Sequence, residues 1–231
     1  MNHNQRIIKA GGACGVLGIL IYILLALSDP YIGPQTKTAQ EFLAAWGTPK
    51  YVAVNMAIHF LLAGAAVLWI VSFVGINRLL GWEQPSLIIH IGTILGIIAC
   101  AVLAQMMIVQ GSVMSKMGQV FLAAANENEQ QSAAALYRGL RFIDYGMDLT
   151  FDMFFFTAWI LLGISMLRHR SFGKLFGGIG IGFFGLAALT NLRSAPDPPA
   201  FDVGPIAGLW ALAVYIQMLR TAKSVGTPQT D

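Results

Sequence analysis

Six apolar stretches divide this chain, near residues 10–28, 51–77, 86–115, 139–167, 172–192 and 204–220. A helix needs about 20 mainly apolar residues to cross a bilayer, and each stretch is near that length or above it. Charged residues make up 11% of the chain, against roughly 25% in soluble domains, so little sequence is left over for a domain facing water. The expected fold is all-α: a polytopic membrane protein with six transmembrane helices in a compact bundle, residues 1–231 forming one domain. Its first partner is the lipid bilayer. The formal charge of +3 then reads as a membrane-orientation signal rather than a nucleic-acid one.

The apolar run from Ala10 to Leu27 follows Arg6 and Lys9 and imitates a signal peptide. It is longer than the roughly 7–15 residues of an h-region and reads as a retained first span. Cys14 and Cys100 fall inside spans and read as small apolar fillers, without a CxxC pair. With the N-terminus inside, the cytoplasmic side holds Arg6, Lys9, Arg78, Arg168, Arg170, Lys174, Arg220 and Lys223, eight of the 14 basic residues. Most of these sit directly at span ends, where the positive-inside bias counts most, so both termini are expected in the cytoplasm. Residues 30–50 read as a turn-rich loop. The segment Lys116–Tyr137 reads as a helix that turns near Asn126–Gln131 and re-enters. Gly11/Gly15, Gly92/Gly96, Gly173/Gly177 and Gly178/Gly182 have the small-xxx-small spacing that lets membrane helices approach closely.

The fourth stretch carries an unusual cost. Arg141, Asp144, Asp148 and Asp152 follow at steps of three, four and four, which puts them on one stripe of a helix. Carboxylates inside a membrane segment are expensive and mark sites by default. Arg141 and Asp144 are expected to form a structural ion pair. Asp148 and Asp152, one turn apart, suit proton carriage, cation binding or general acid–base work; polar glue between helices is the plain alternative.

Topology supplies company for them. Asn55 and His59 in the second span, Gln105 and Gln110 in the third and Asn191 in the fifth all fall in the outer half. The expectation is an outward-facing polar pocket with Asp148, Asp152, His59, Asn55, Gln105 and Asn191 as ligand-binding residues. His59, Asp148 and Asp152 together would suit a divalent metal. Levels of His59 and His90 differ by on the order of 10 Å at 1.5 Å per residue, which argues against a bis-histidine haem. That leaves only His/Met ligation through Met106 or Met107 as a route to one. His169, between two arginines, reads as a residue at the membrane interface. GxSxG, HExxH, Walker and Rossmann patterns are absent from the sequence.

The closing stretch Pro196-Asp-Pro-Pro-Ala-Phe-Asp-Val-Gly-Pro, running on through Trp210 to Arg220, resembles the C-terminal signature of small bacterial membrane proteins of unassigned function. Length and six-span layout resemble the family catalogued as domain of unknown function 4386. That resemblance implies a bacterial cytoplasmic membrane and brings no catalytic residues with it. Three functions stay open on the sequence. The first is binding or transport of a cation, proton or small polar solute in the outward pocket. The second is an intramembrane, metal-assisted enzyme acting on lipid, and the third an accessory subunit of a membrane complex.

Overall fold

The computed structural model describes residues 2–32, 38–83, 85–195 and 204–223, with backbone alone for residues 26–32, 83 and 205. Among these the chain is helical and contains no strand. The helices are α1 (His3–Ile32), α2 (Ala39–Trp46), α3 (Pro49–Glu83), α4 (Leu87–Val109), α5 (Ser115–Ala123), α6 (Glu127–Met166), α7 (Gly173–Ser194) and α8 (Gly204–Thr221). A π-turn, Gln110–Met114, joins α4 to α5 without breaking the helical path. Five helical segments are long and apolar enough to cross a membrane: His3–Leu25, Pro49–Trp82, Leu87–Ala123, Glu127–Met166 and Gly173–Ser194. The sixth expected span is α8, whose apolar part, Ile206–Thr221, is shorter. The turn-rich residues 33–37 and the proline-rich residues 196–199 lie outside the described residues.

Local chemistry sets the helix starts. Thr38 caps α2 by accepting from the Glu41 N–H at 3.1 Å, and Ser86 caps α4 by accepting from the Ile88 N–H at 3.3 Å. Asn126 accepts from the Glu129 N–H at 3.0 Å, while Glu129 reaches back to the Ala125 N–H at 2.8 Å, so the acidic run expected as a turn instead opens α6. The break itself falls just before it, at residues 124–126. Helix α2 is also new relative to the sequence reading, which left residues 30–50 as loop. Its Leu43 and Trp46 are buried, and this covered face gives the short helix its stability.

Around the bundle the order is α1, α3, α4, α6, α7 and α8, with α8 packing back on α1. Glycines set several crossings. A Cβ on Gly11 would lie 2.7 Å from the Gly75 Cα, and one on Gly177 would lie 2.6 Å from the Gly163 carbonyl oxygen. Gly96 meets the Phe73 ring, whereas Gly178 and Gly182 face open space, so the fourth spaced pair does not serve packing. An aromatic core fills the half of the bundle towards the end of α6: Phe73, Trp159, Phe184 and Tyr215 are fully buried. Trp159 stacks on Phe184 at 6.0 Å and meets Trp210 edge-on at 5.1 Å. At that end His169, expected at the membrane interface, is buried between helices. Its Nδ1 accepts from the Ser171 N–H at 3.2 Å, so Nε2 carries the hydrogen and donates to the Leu79 carbonyl at 3.3 Å.

The other end reaches past the expected thickness of a bilayer. Helix α6 has 40 residues, or about 60 Å at 1.5 Å each, twice a hydrocarbon core of about 30 Å. Its first turns pack with α5 and α2 around Leu43, Met117, Phe121 and Tyr137, a second small core. Here α2 and α5 nearly touch backbone to backbone: a Cβ on Gly118 would lie 2.5 Å from the Gly47 nitrogen.

Candidate functional site

The stripe on α6 turns inward and divides into two networks one helical turn apart. Asp144, nearest the surface, is 5% exposed. Arg141 Nη1 donates to its Oδ2 at 2.7 Å, the pair that their spacing suggested. Gln110 Nε2 donates to its other oxygen, Oδ1, at 2.8 Å. The far side of the same Gln110 amide, Oε1, faces His59 Nε2 at 3.1 Å, and His59 Nδ1 faces the Asn55 carbonyl at 2.8 Å. Arg141, Asp144, Gln110 and His59 thus form one chain across α6, α4 and α3.

Both His59 nitrogens face oxygens, one of the Gln110 amide and one of the Asn55 carbonyl. Turning the Gln110 amide round would free His59 Nε2 to accept, but would point Oε1 at the Asp144 carboxylate. Both Asp144 oxygens are thus occupied, one by Arg141 and one by Gln110.

The π-turn makes this geometry available. Wide helical turns of this kind leave backbone carbonyls without their usual partners and recur at functional sites. Here Asn55 Nδ2 serves those carbonyls, at 3.3 Å from Gln110 O and 3.2 Å from Gly111 O, and reaches Ser115 Oγ at 2.8 Å. Gly111 lets α4 come up against α3, since a Cβ there would lie 2.9 Å from the His59 Cβ. Asn55, buried at 6% exposure, holds the π-turn and so aims Gln110 between His59 and Asp144.

One turn further along α6 the second network borders a cavity of about 360 Å³. Every helix of the ring contributes: Ile19 and Tyr22 from α1, Leu62 and Trp69 from α3, Met106 and Met107 from α4, Asp148 and Asp152 from α6, Asn191 from α7 and Gly208 from α8. Asn191 Nδ2 donates a short hydrogen bond to Asp152 Oδ2. The other end of that amide, Oδ1, is buried and has no hydrogen-bond partner among the described residues. Among the described residues lining the cavity there is no Lys, Arg or His.

The expected site residues are thus partly gathered. Asp148, Asp152 and Asn191 share the cavity. Asn55 and His59 belong to the neighbouring network, with Gln110 as the link that sequence reasoning placed at the right level without giving it a role. The polar run Gln110-Gly111-Ser112 in an otherwise apolar helix was the signal for it. Gln105 is exposed on α4 and does not line the cavity. His59 turns to Gln110 rather than to Asp148 and Asp152, and among the described residues no three His, Cys, Asp or Glu side chains converge as metal ligands do. His90 is exposed and bonds its own helix at the Ser86 carbonyl, 2.9 Å away. Compared with known proteins, the chain matches no family model, no curated protein and no solved structure.

Proposed function

We propose that this chain binds, and carries across a bacterial cytoplasmic membrane, a cation, proton or small polar solute that enters the cavity at Asp148, Asp152 and Asn191. In this reading α8 is the sixth span, both termini are cytoplasmic and the cavity faces outward. The distribution of basic residues supports that orientation. The resemblance of the closing stretch to small bacterial membrane proteins supports the membrane assigned.

The observation that carries the proposal is the Asn191 amide. In a bundle where a carboxylate and an amide merely hold helices together, the amide oxygen would be met by a donor from a third group, because an unpaired polar atom in a dry interior costs about 1–3 kcal/mol. Asn191 spends its N–H on Asp152 and leaves an acceptor buried beside a cavity. That is the arrangement expected of a group kept for a ligand. Inward placement of the acidic stripe supports an intrachain site over pairing with a helix of another protein.

Cysteine labelling and ligand screening test this together. In a Cys14→Ala/Cys100→Ala background, Gly208→Cys puts a thiol on the cavity wall, where the nearest neighbour of an added Cβ is Ile19 Cδ1 at 3.9 Å. A membrane-impermeant thiol reagent applied to the outer face of oriented vesicles should label it. Thermal stabilisation of the purified protein by inorganic cations, amines, sugars and amino acids should identify ligands whose effect disappears in Asp152→Asn and Asn191→Leu. A thiol reached only from the cytoplasmic face would overturn the orientation. Stabilisation that survives both substitutions would overturn the site.

A further inference from the structure

The cavity walls restrict what can occupy it. Building on the solute-binding reading above, we infer that its ligand class is an amphiphilic organic cation: an ammonium head carrying N–H donors on a hydrocarbon or aromatic body.

Charge comes first. Among the described residues Asp148 and Asp152 line the cavity and no basic side chain does, which disfavours an anion and favours a cation. Hydrogen bonding comes next. Asn191 is 3% exposed, its N–H is engaged by Asp152, and its Oδ1 can only accept. The missing partner must therefore be a donor, and an ammonium N–H placed between Asp152 and Asn191 Oδ1 supplies one.

The remaining surface decides between cations. Asp148, Asp152 and Asn191 contribute carboxylates and an amide, Tyr22 and Trp69 rings with a hydroxyl and an indole N–H, Phe151 and Phe155 phenyl rings, and Met106 and Met107 thioethers. A hard inorganic cation takes about six to eight oxygen ligands around it, more than the carboxylates of Asp148 and Asp152 and the amide of Asn191 offer together. A sugar needs donors and acceptors on all sides. Ring faces and thioethers do suit an organic ammonium, whose charge is attracted to aromatic faces and whose body gains from burial against apolar walls. A volume of about 360 Å³ lies at the lower end of the roughly 300–1,000 Å³ range of ligand pockets, which fits a small amine rather than a lipid.

Three probes with one skeleton separate these terms: 2-phenylethylammonium, 2-phenylethanol and phenylacetate, titrated calorimetrically against the full-length protein in neutral maltoside micelles. Sodium and a hexitol serve as inorganic and polyol comparisons, and protein-free micelles correct for partitioning. The ammonium should bind about tenfold or more tighter than the alcohol, and phenylacetate should not bind. Asp152→Asn should weaken the ammonium by about tenfold while moving the alcohol less than about threefold. Phe151→Leu should weaken the ammonium by several-fold and more than the alcohol. Thermal melting establishes that each variant is folded, and Asp148→Asn replaces Asp152→Asn if the latter is not. Equal affinity for alcohol and ammonium, or ammonium affinity unchanged in folded carboxylate variants, overturns the inference. Sodium or hexitol binding that depends on Asp152, without ammonium binding, also overturns it but leaves the solute-binding reading intact. If no probe binds and the Gly208→Cys thiol is unreactive from both faces, both readings fall.

Discussion

Removing the Asn55 side chain should show whether the π-turn is held in place or merely tolerated. In Asn55→Ala the donor facing Gln110 O, Gly111 O and Ser115 Oγ disappears. One amide nitrogen has two hydrogens, so at most two of these three contacts act at full strength at once. Each is worth about 0.6 kcal/mol between membrane helices and about 1 kcal/mol in soluble proteins, which gives about 1–2 kcal/mol for the bonds themselves. Either carbonyl that the wide turn leaves without a backbone N–H then stays buried and unpaired, at about 1–3 kcal/mol. Ser115 offsets part of this, because its hydroxyl can swing to one of them. The expected net loss is about 2–4 kcal/mol.

Asn55→Asp sharpens the test. It keeps the shape but turns a donor into an acceptor aimed at two carbonyls, so it should cost at least as much as alanine. His59 offers an internal control, since its bond runs to the Asn55 backbone oxygen and survives either change. Unfolding in mixed maltoside and dodecyl sulfate micelles, followed by tryptophan fluorescence, measures the loss. A double-mutant cycle with Ser115→Ala should return a coupling of about 0.5–1 kcal/mol. An Asn55→Ala loss below about 0.5 kcal/mol, or an aspartate milder than alanine, would refute the reasoning.

Other substitutions probe the rest of the structure. Gly96→Ala sets a Cβ 2.3 Å from the buried Phe73 ring and should destabilise by about 2 kcal/mol or more. Gly182→Ala, in the same measurement, meets nothing within 4 Å and should be neutral or stabilise by up to about 1 kcal/mol. Gln110→Glu puts a second acceptor against Asp144 and should destabilise more than Gln110→Leu in the micelle unfolding assay. Asp144→Asn should lower stability by about 1–2 kcal/mol and leave ligand titrations unchanged, because its oxygens serve Arg141 and Gln110 rather than the cavity.

What the sequence disclosed follows from which quantities are local. Apolar length is local, and the five apolar helices fall where the runs fall, although helices extend beyond them. His3 opens α1 seven residues before the apolar run, and α6 starts at Glu127, because polar turns outside a bilayer continue a helix as readily as apolar ones. Spacing is local too, so the stripe from Arg141 to Asp152 was visible as a stripe and its Arg141–Asp144 contact followed. Depth was the weaker guide. Gln105 and Gln110 sit at neighbouring levels of one helix, yet Gln105 is exposed and Gln110 is the centre of a network. Facing direction depends on the crossing angle and on the π-turn, and neither has a one-dimensional signature stronger than a glycine and two polar neighbours.

The division of the stripe has the same origin. A helix places Asp144, Asp148 and Asp152 in one line, but each meets a different neighbour because α4 and α7 cross α6 at different heights. Where α4 arrives with Gln110 and Arg141 reaches back, both oxygens of Asp144 are served, and the charge is balanced on the spot. Where α7 arrives, it brings an amide that donates to Asp152 and keeps an oxygen with nothing to accept from among the described residues. A bundle that needed only cohesion would gain by repeating the first arrangement at the second level, since each closed contact stabilises and each open one costs. The chain keeps the two side by side, a closed network that fixes the helices and an open one beside a cavity. Among the described residues the Asn191 oxygen is an open point of that second level, and a donor from outside the chain would complete it.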